Sequence, residues 1–278
     1  GRVAVVTGAG SGIGRAVAVE LARRGCSLAL TDRTVEPLAP VAAEIAAIGR
    51  AVSVHGFDVA DRAAWPPFVE RLRSEHGGVH LVVNNAGVSL TGPFTESSLD
   101  DIEWQLGVNL WGVIYGCHFL LPLLREQPDA HLVNVSSIFG IVTVPDNAAY
   151  CMSKHAVRSL TEALEVELAG SSVAVSSVHP GAVATRIVLD GRFVAGPRTS
   201  PERARELISA GLEPAEAARI IVDGIARGTR RILVGRDAWA LAQLHRWLPV
   251  WYRDVVRWWV SRAPPIPEKT SSDPVLRD

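Results

Sequence analysis

Apolar residues along this chain alternate between two rhythms. Short runs rich in Val, Ile and Leu fall at 3–7, 27–31, 51–56, 79–83, 131–136, 173–178 and 231–234. Between them lie stretches with helical spacing at 13–24, 36–49, 61–76, 99–125, 149–169 and 213–227. Strands that are apolar on both faces need cover on both faces, and intervening helices supply it. The pattern therefore predicts an α/β fold, a doubly wound parallel sheet of about seven strands with helices on each side. One catalytic domain is expected over 1–235. Residues 182–211, with Gly191, Gly196, Pro197 and Pro201, interrupt the alternation just after a strand end. They read as a mobile substrate lid, or else as a plain surface loop. A helical extension rich in Trp and Arg follows at 236–262, divided by Pro249. Residues 263–278 carry four prolines and read as an irregular tail.

Composition narrows the class. With 48% hydrophobic residues the chain has ample core, and its net charge of −1 gives no reason to expect nucleic acid. Cys26, Cys117 and Cys151 are scattered without metal-ligand spacing, as are the eight histidines. No metal is expected, and the cysteines suit a reducing, cytoplasmic setting. No secretory signal stands before the first strand in this sequence. Residues 104–124 lack any Asp, Glu, Lys or Arg, yet Gln105, Asn109, His118 and Pro122 interrupt them. A helix buried between a sheet and a partner subunit reads the same way, so a membrane span is not expected.

Chemistry enters at the first turn. The strand over 3–7 runs straight into glycines at 8, 10, 12 and 14, and a helix follows. Glycines let a backbone approach a pyrophosphate, and the helix N-terminus offers N–H groups and positive potential. The spacing departs from G-x-G-x-x-G, because Ile13 stands where a third glycine would fall. Asp32 ends the second strand, where a carboxylate accepts bonds from adenosine ribose hydroxyls and repels a 2′-phosphate. That favours NAD. Arg33 argues for NADP, since a guanidinium there binds such a phosphate.

Tyr150 and Lys154 are one helical turn apart, with Ser137 thirteen positions upstream of the tyrosine. A free phenol titrates near ~10 and is a poor base at neutral pH, but an adjacent ammonium favours the phenolate. Tyr150 then takes a proton from an alcohol or returns it to a ketone, and the Ser137 hydroxyl holds the substrate oxygen.

Taken in order, these residues resemble the short-chain dehydrogenase/reductase family in its common single-domain cytosolic form. The matching segments are Thr7 to Gly14, Asp58-Val59, Asn84-Asn85-Ala86-Gly87, Asn134-Val135-Ser136-Ser137, Tyr150-Cys151-Met152-Ser153-Lys154 and Pro180-Gly181-Ala182-Val183-Ala184-Thr185. Asn109 stands at the family's active-site asparagine, and the resemblance runs from residue 2 to about 235. It implies a Rossmann-type sheet and a catalytic set of Ser137, Tyr150, Lys154 and Asn109. Lys154 would also bond the nicotinamide ribose, and Asn109 would hold a water linking Lys154 to solvent. Ser136 would be a structural neighbour. Around the cofactor the resemblance implies Gly8, Ser11, Gly12, Ile13, Gly14, Asp32 or Arg33, Asp58, Val59, Asn85, Ala86 and Gly87. Tyr150 and Lys154 belong to that set too, and Pro180, Gly181, Val183 and Thr185 would lie along the nicotinamide. His179 beside them reads as a packed residue.

By the same analogy Ile138, Phe139, Val144 and Ile187 line the substrate pocket. They are apolar, which points to a lipophilic secondary alcohol or ketone. Pairing of the two long helices, at 99–125 and 149–169, would give a homodimer or homotetramer. The C-terminal extension carries Trp239, Trp247, Trp251, Trp258 and Trp259, and 227–262 holds eight arginines against two aspartates. It reads as an interfacial membrane helix, as a cap over the pocket, or as packing against the same subunit or a symmetry mate. Packing is favoured, because large aromatics dominate interfaces and arginine stems cover apolar surface. The leading function is NAD-linked oxidation of an alcohol or reduction of a ketone. An NADP-dependent reductase and a non-catalytic nucleotide sensor or scaffold are the alternatives.

Overall fold

The computed structural model describes residues 1–188, 190–194, 196 and 210–261. The tail, the side chain of Trp259 and most of the expected lid, including Pro197 and Pro201, lie outside the described residues. A seven-stranded parallel sheet forms the centre, built from β1 (Val3–Thr7), β2 (Ser27–Asp32), β3 (Val52–Gly56), β4 (Leu81–Asn84), β6 (Ala130–Val135), β7 (Val173–Pro180) and β9 (Arg231–Val234). Its order is β3-β2-β1-β4-β6-β7-β9, and every pairing is parallel. The order reverses between β1 and β4, so a crevice opens at their carboxyl ends.

The period-2 pattern sorts the core into two layers. Ala4, Val6, Leu28 and Leu30 face α1 (Gly12–Arg23), α2 (Leu38–Ala47) and α7 (Pro214–Ala226). Val5, Ala29, Val82 and Leu132 face α3 (Trp65–His76), α5 (Gly112–Arg125) and α6 (Ala148–Glu167). Trp65 anchors this second layer, fully buried, with its indole N–H donated to the Val59 carbonyl at 3.0 Å.

The expected helix over 99–125 is instead α4 (Leu99–Leu106), a π turn (Gly107–Trp111) and α5. One extra residue in the turn re-aims Asn109 at the Val88 backbone. Gly112, just beyond, presses on Val59, where a Cβ would lie 2.7 Å from Val59 Cγ2. Leu99–Arg125 is long and apolar enough to cross a membrane, with a mean hydropathy of 1.4. It packs on the sheet, and Gln105 and Asn109 within it are fully buried.

Two further elements depart from the alternation. β5 (Leu90–Thr91) and β8 (Arg192–Phe193) form a separate parallel pair. This pair ties the front of the expected lid down, so that part is not a free loop. Arg192 completes the tie, its guanidinium 4.0 Å over the Trp104 ring and 2.6 Å from Asp101. The C-terminal extension forms α8 (Arg236–Trp247) and α9 (Tyr252–Ser261), parted near Pro249 as the sequence predicts. Their inner side packs on the same subunit, with Ala238 and Tyr252 buried against Ile138, Ile141 and Val142.

His131 and His179 lie within the sheet and bond Ser176 and Ser177. Burial pushes both imidazoles down to about 4. Between pH ~6.5 and pH ~4 the unfolded chain therefore binds protons that the folded chain refuses, and stability falls as pH drops through that window. Each histidine costs up to about 3 kcal/mol across it. Urea midpoints at pH 7 and pH 5 check this. The midpoint is expected to drop at pH 5, and less so in His131→Asn; equal midpoints at the two pH values would contradict it.

Candidate active site

The carboxyl ends of β1 and β4 are stitched together by side chains. Thr7 Oγ1 accepts the N–H groups of Asn85 at 2.9 Å and Ala86 at 3.0 Å. Asn85 Nδ2 returns bonds to the carbonyls of Thr7 at 2.9 Å and Gly8 at 3.2 Å. The loop thus rests on the Asn85-Ala86-Gly87 turn, with Gly8 at φ 64°. Gly14 lies so close below that a Cβ there would sit 2.1 Å from the Gly8 carbonyl and 2.4 Å from Asn85 Nδ2. Only glycine permits this approach. Ile13 packs into the core beneath, while exposed Ser11 caps α1 without spending its hydroxyl on the cap.

Asp32 overhangs the loop. Its Oδ2 accepts from Gly10 N at 2.9 Å and its Oδ1 from Arg33 N at 2.8 Å. Each oxygen keeps lone-pair capacity for a further donor, so loop tether and ribose acceptor are compatible roles. Arg33 is exposed. Asp58 is exposed and turns onto Ala60 N at 2.9 Å, and Val59 is buried. On the opposite wall the Thr185 methyl lies 3.1 Å from where a Gly12 Cβ would stand. A glycine loop, a helix N-terminus, an overhanging carboxylate and this threonine together fit a dinucleotide.

The second cluster adjoins the first at the carboxyl end of β6. Lys154 and Tyr150 project from one face of α6, with the Lys154 Nζ 5.8 Å from the phenol ring centroid. Lys154 is buried and donates to the Val135 carbonyl at 3.1 Å. Ser136 Oγ donates to the Lys154 carbonyl at 2.8 Å, fixing α6 against the strand. The Ser137 Oγ accepts from Phe139 N at 3.1 Å, and its hydroxyl favours the ionised form of the Tyr150 phenol. His179 braces this turn, its Nδ1–H donated to the Ser137 carbonyl at 2.9 Å. A carbonyl only accepts, so the Nδ1–H tautomer is required and Nε2 takes the Ser177 hydroxyl.

Burial governs the protons. It pushes the Tyr150 phenol up to about 12, with the Ser137 hydroxyl offsetting only part of that, and draws Lys154 down to about 8. The shift of the phenol thus runs upward, opposite to the expected lowering, with desolvation as its largest cause. Asn109 is fully buried beside this pair. Its Oδ1 accepts from Val88 N at 2.7 Å, while its Nδ2 donates to Val88 O at 2.9 Å and Ser153 Oγ at 3.3 Å. Its side chain is thereby committed to holding the turn beside Gly87, where a Cβ would face Asn109 Oδ1 at 3.3 Å and Lys154 Nζ at 3.5 Å. Among the described residues no group of three metal-ligating side chains occurs.

The family model for short chain dehydrogenases matches residues 2–191. This chain belongs to the short-chain dehydrogenase/reductase family, and it is an NAD(P)-dependent oxidoreductase. It is similar to SadH of Mycobacterium tuberculosis, with 38% identity over 92% of this chain and 94% of that one. Among solved structures it resembles a Burkholderia phymatum short-chain dehydrogenase/reductase in complex with NAD, at TM-score 0.83 and 33% identity, covering 97% and 98% of the two chains. It also resembles an alcohol dehydrogenase of Thermococcus sibiricus complexed with 5-hydroxy-NADP, at TM-score 0.72 and 28% identity, covering 84% and 95%.

Against this short-chain dehydrogenase frame several contacts stand out that sequence reasoning missed. Asp237, in the first turn of α8, accepts from Ala182 N at 2.7 Å. Its carboxylate fills the space a Gly181 side chain would need, 2.2 Å from a Cβ there. The C-terminal extension thereby clamps the Pro180-Gly181 turn. Tyr252 of α9 bonds Thr143 at 2.8 Å, holding the segment after Ser137. Ile138 is buried against Ala238 and Tyr252, where the extension covers the strand-end turn. Phe139 meets the Tyr150 ring edge-on at 6.3 Å, and Val144 and Ile187 are half-buried. Val183 is buried and bridges to Leu212.

Gly14→Ala tests the cradle. The added methyl must displace the Gly8 carbonyl or Asn85, at a cost of about 1–3 kcal/mol. Isothermal titration with NAD is expected to show affinity down at least about tenfold. Unchanged affinity would mean the loop does not carry the pyrophosphate.

Proposed function

We propose that this enzyme transfers hydride between NAD and a lipophilic secondary alcohol or ketone, with Tyr150 as acid and base. The convergence of Ser137, Tyr150 and Lys154 beside the glycine cradle supports this most directly. A bound nicotinamide supplies the hydride acceptor or donor. Ser137, whose hydroxyl acts on the Tyr150 phenol, holds the substrate oxygen. Tyr150 removes the hydroxyl proton during oxidation and returns it to the ketone oxygen during reduction. A phenol at about 12 needs help to ionise. Lys154 gives it, as does the positive charge of an oxidised nicotinamide. The ammonium has three N–H groups and spends one on Val135, leaving donors for a ribose. Asn109 and Ser136 act as positioning residues for Lys154 and its helix.

The NAD preference rests on Asp32, whose carboxylate would face a 2′-phosphate unfavourably. The lipophilic substrate rests on the apolar character of Phe139, which meets the phenol ring, and of Val144 and Ile187. Exposed Trp111 and Met152, on the α4–α5 run and α6, support pairing of these helices in a homodimer or homotetramer.

Three measurements check the reading. Tyr150→Phe is expected to cut kcat by about 10²–10⁴ while NAD affinity stays within about threefold. Unchanged turnover would remove Tyr150 from the chemistry. For the parent enzyme, alcohol oxidation should rise with pH above neutrality and ketone reduction should fall, since the two directions need opposite forms of the phenol. A flat profile in both directions would argue against a tyrosine base. Finally, kcat/KM is expected to favour NAD over NADP by at least about tenfold, with Asp32→Ala narrowing the gap. A preference for NADP in the parent would overturn the role given to Asp32.

A further inference from the structure

The tryptophans of the C-terminal extension point away from the packing that anchors it. On α9 the inner residues Tyr252 and Val256 pack on the Ile138 cluster. Trp251, Val255 and Trp258 recur at helical spacing on the outside, at 67%, 41% and 54% exposure. Trp247, Leu248 and Val250 continue this exposed apolar surface through the corner between α8 and α9. Packing within the subunit accounts for α8 and α9 as elements, while these side chains keep much of their surface open to solvent.

We propose that the corner joining α8 to α9 seats the enzyme on an anionic lipid surface. Charge selects this occupant. The whole chain is at −1, yet residues 227–262 hold eight arginines and two aspartates, and of those arginines Arg230 and Arg231 pair with Glu165 and Glu162 on α6. Of the aspartates, Asp237 is turned onto Ala182, and Asp254 is paired with Arg257 at 2.8 Å. Arg246 and Arg253 flank the tryptophans and have no acidic partner among the described residues. Arg246 lies 5.5 Å over the Trp247 ring, and Arg253 donates to the Val250 carbonyl. Exposed indoles beside unneutralised guanidinium groups match the boundary between acyl chains and acidic headgroups. A second copy docked through this patch about a twofold would gather two sets of Arg246 and Arg253 in one interface with no acidic partner among the described residues, which costs desolvation and repulsion. The corner also adjoins the substrate side of the fold. Tyr252, at the corner, bonds Thr143 in the segment that follows Ser137. A lipophilic substrate dissolved in the bilayer would thus meet the enzyme near its entrance. The seating itself does not depend on that substrate reading, and its test uses no turnover.

The test is flotation of the full chain with vesicles of phosphatidylcholine alone, or of phosphatidylcholine mixed with phosphatidylglycerol. Binding is expected only to the mixed vesicles, weakening with added salt and accompanied by a blue shift of tryptophan emission. The double variants Trp247→Ser/Trp251→Ser and Arg246→Glu/Arg253→Glu should each lower the bound fraction at least about tenfold, with thermal melting confirming that each is folded. The charge-reversed pair lies wholly at the surface, so it keeps the test sound if the tryptophan variant unfolds. No binding to mixed vesicles, or equal binding to both kinds, would overturn the proposal. So would a concentration-dependent dimer, seen without lipid, that both variants dissolve.

Discussion

A lysine ammonium is held away from water at the carboxyl end of the sheet, and the site is organised around that burial. Lys154 is accessible over only 2% of its surface and finds its protein acceptor in the Val135 carbonyl. Desolvation lowers its affinity for a proton and, in the same pocket, raises that of Tyr150. The resting enzyme therefore keeps a protonated phenol beside a weakened cation. On the proposed reading, the positive charge of an oxidised nicotinamide would favour the phenolate and ready it to take the substrate's proton.

Holding such a group requires rigid support from several chain segments. Ser136 grips the Lys154 carbonyl, His179 grips that of Ser137, and Asn109 ties Val88 to Ser153. Farther along the same edge, Thr7 and Asn85 lock the glycine loop to the turn that carries Gly87. All these contacts sit where parallel strands end, because both sheet faces are spent on core packing. The C-terminal helices join this edge through Asp237 and Tyr252, so an extension beyond the sheet helps to shape both cofactor and substrate walls.

The sheet strands were legible as short β-branched runs between helices, most of them apolar on both faces and β3 at the edge on one, and the glycine loop because strand and helix flank it directly. Tyr150 and Lys154 were legible as a pair since helical spacing alone puts them on one face. What stayed hidden depends on partners distant in sequence. The π turn at Asn109 is set by its bonds to Val88, and no local propensity marks it. β5 and β8 are two residues each, too short to show a period. Asp237 reads locally as an ordinary first-turn acid, and its bond to Ala182 spans 55 positions. The direction of the Tyr150 shift was misjudged for a related reason: a sequence reveals the neighbouring charge but not how little water reaches it.

The central claim is that burial holds the Tyr150 phenol protonated until the cofactor's charge is in place. Ultraviolet difference titration of the parent against Tyr150→Phe isolates this phenol. Without cofactor it is expected to ionise near the value of about 12 that burial imposes, and with NAD⁺ bound its midpoint should fall by a unit or more, that is by at least about 1.4 kcal/mol. A midpoint near that of free tyrosine, unmoved by NAD⁺, would contradict the account.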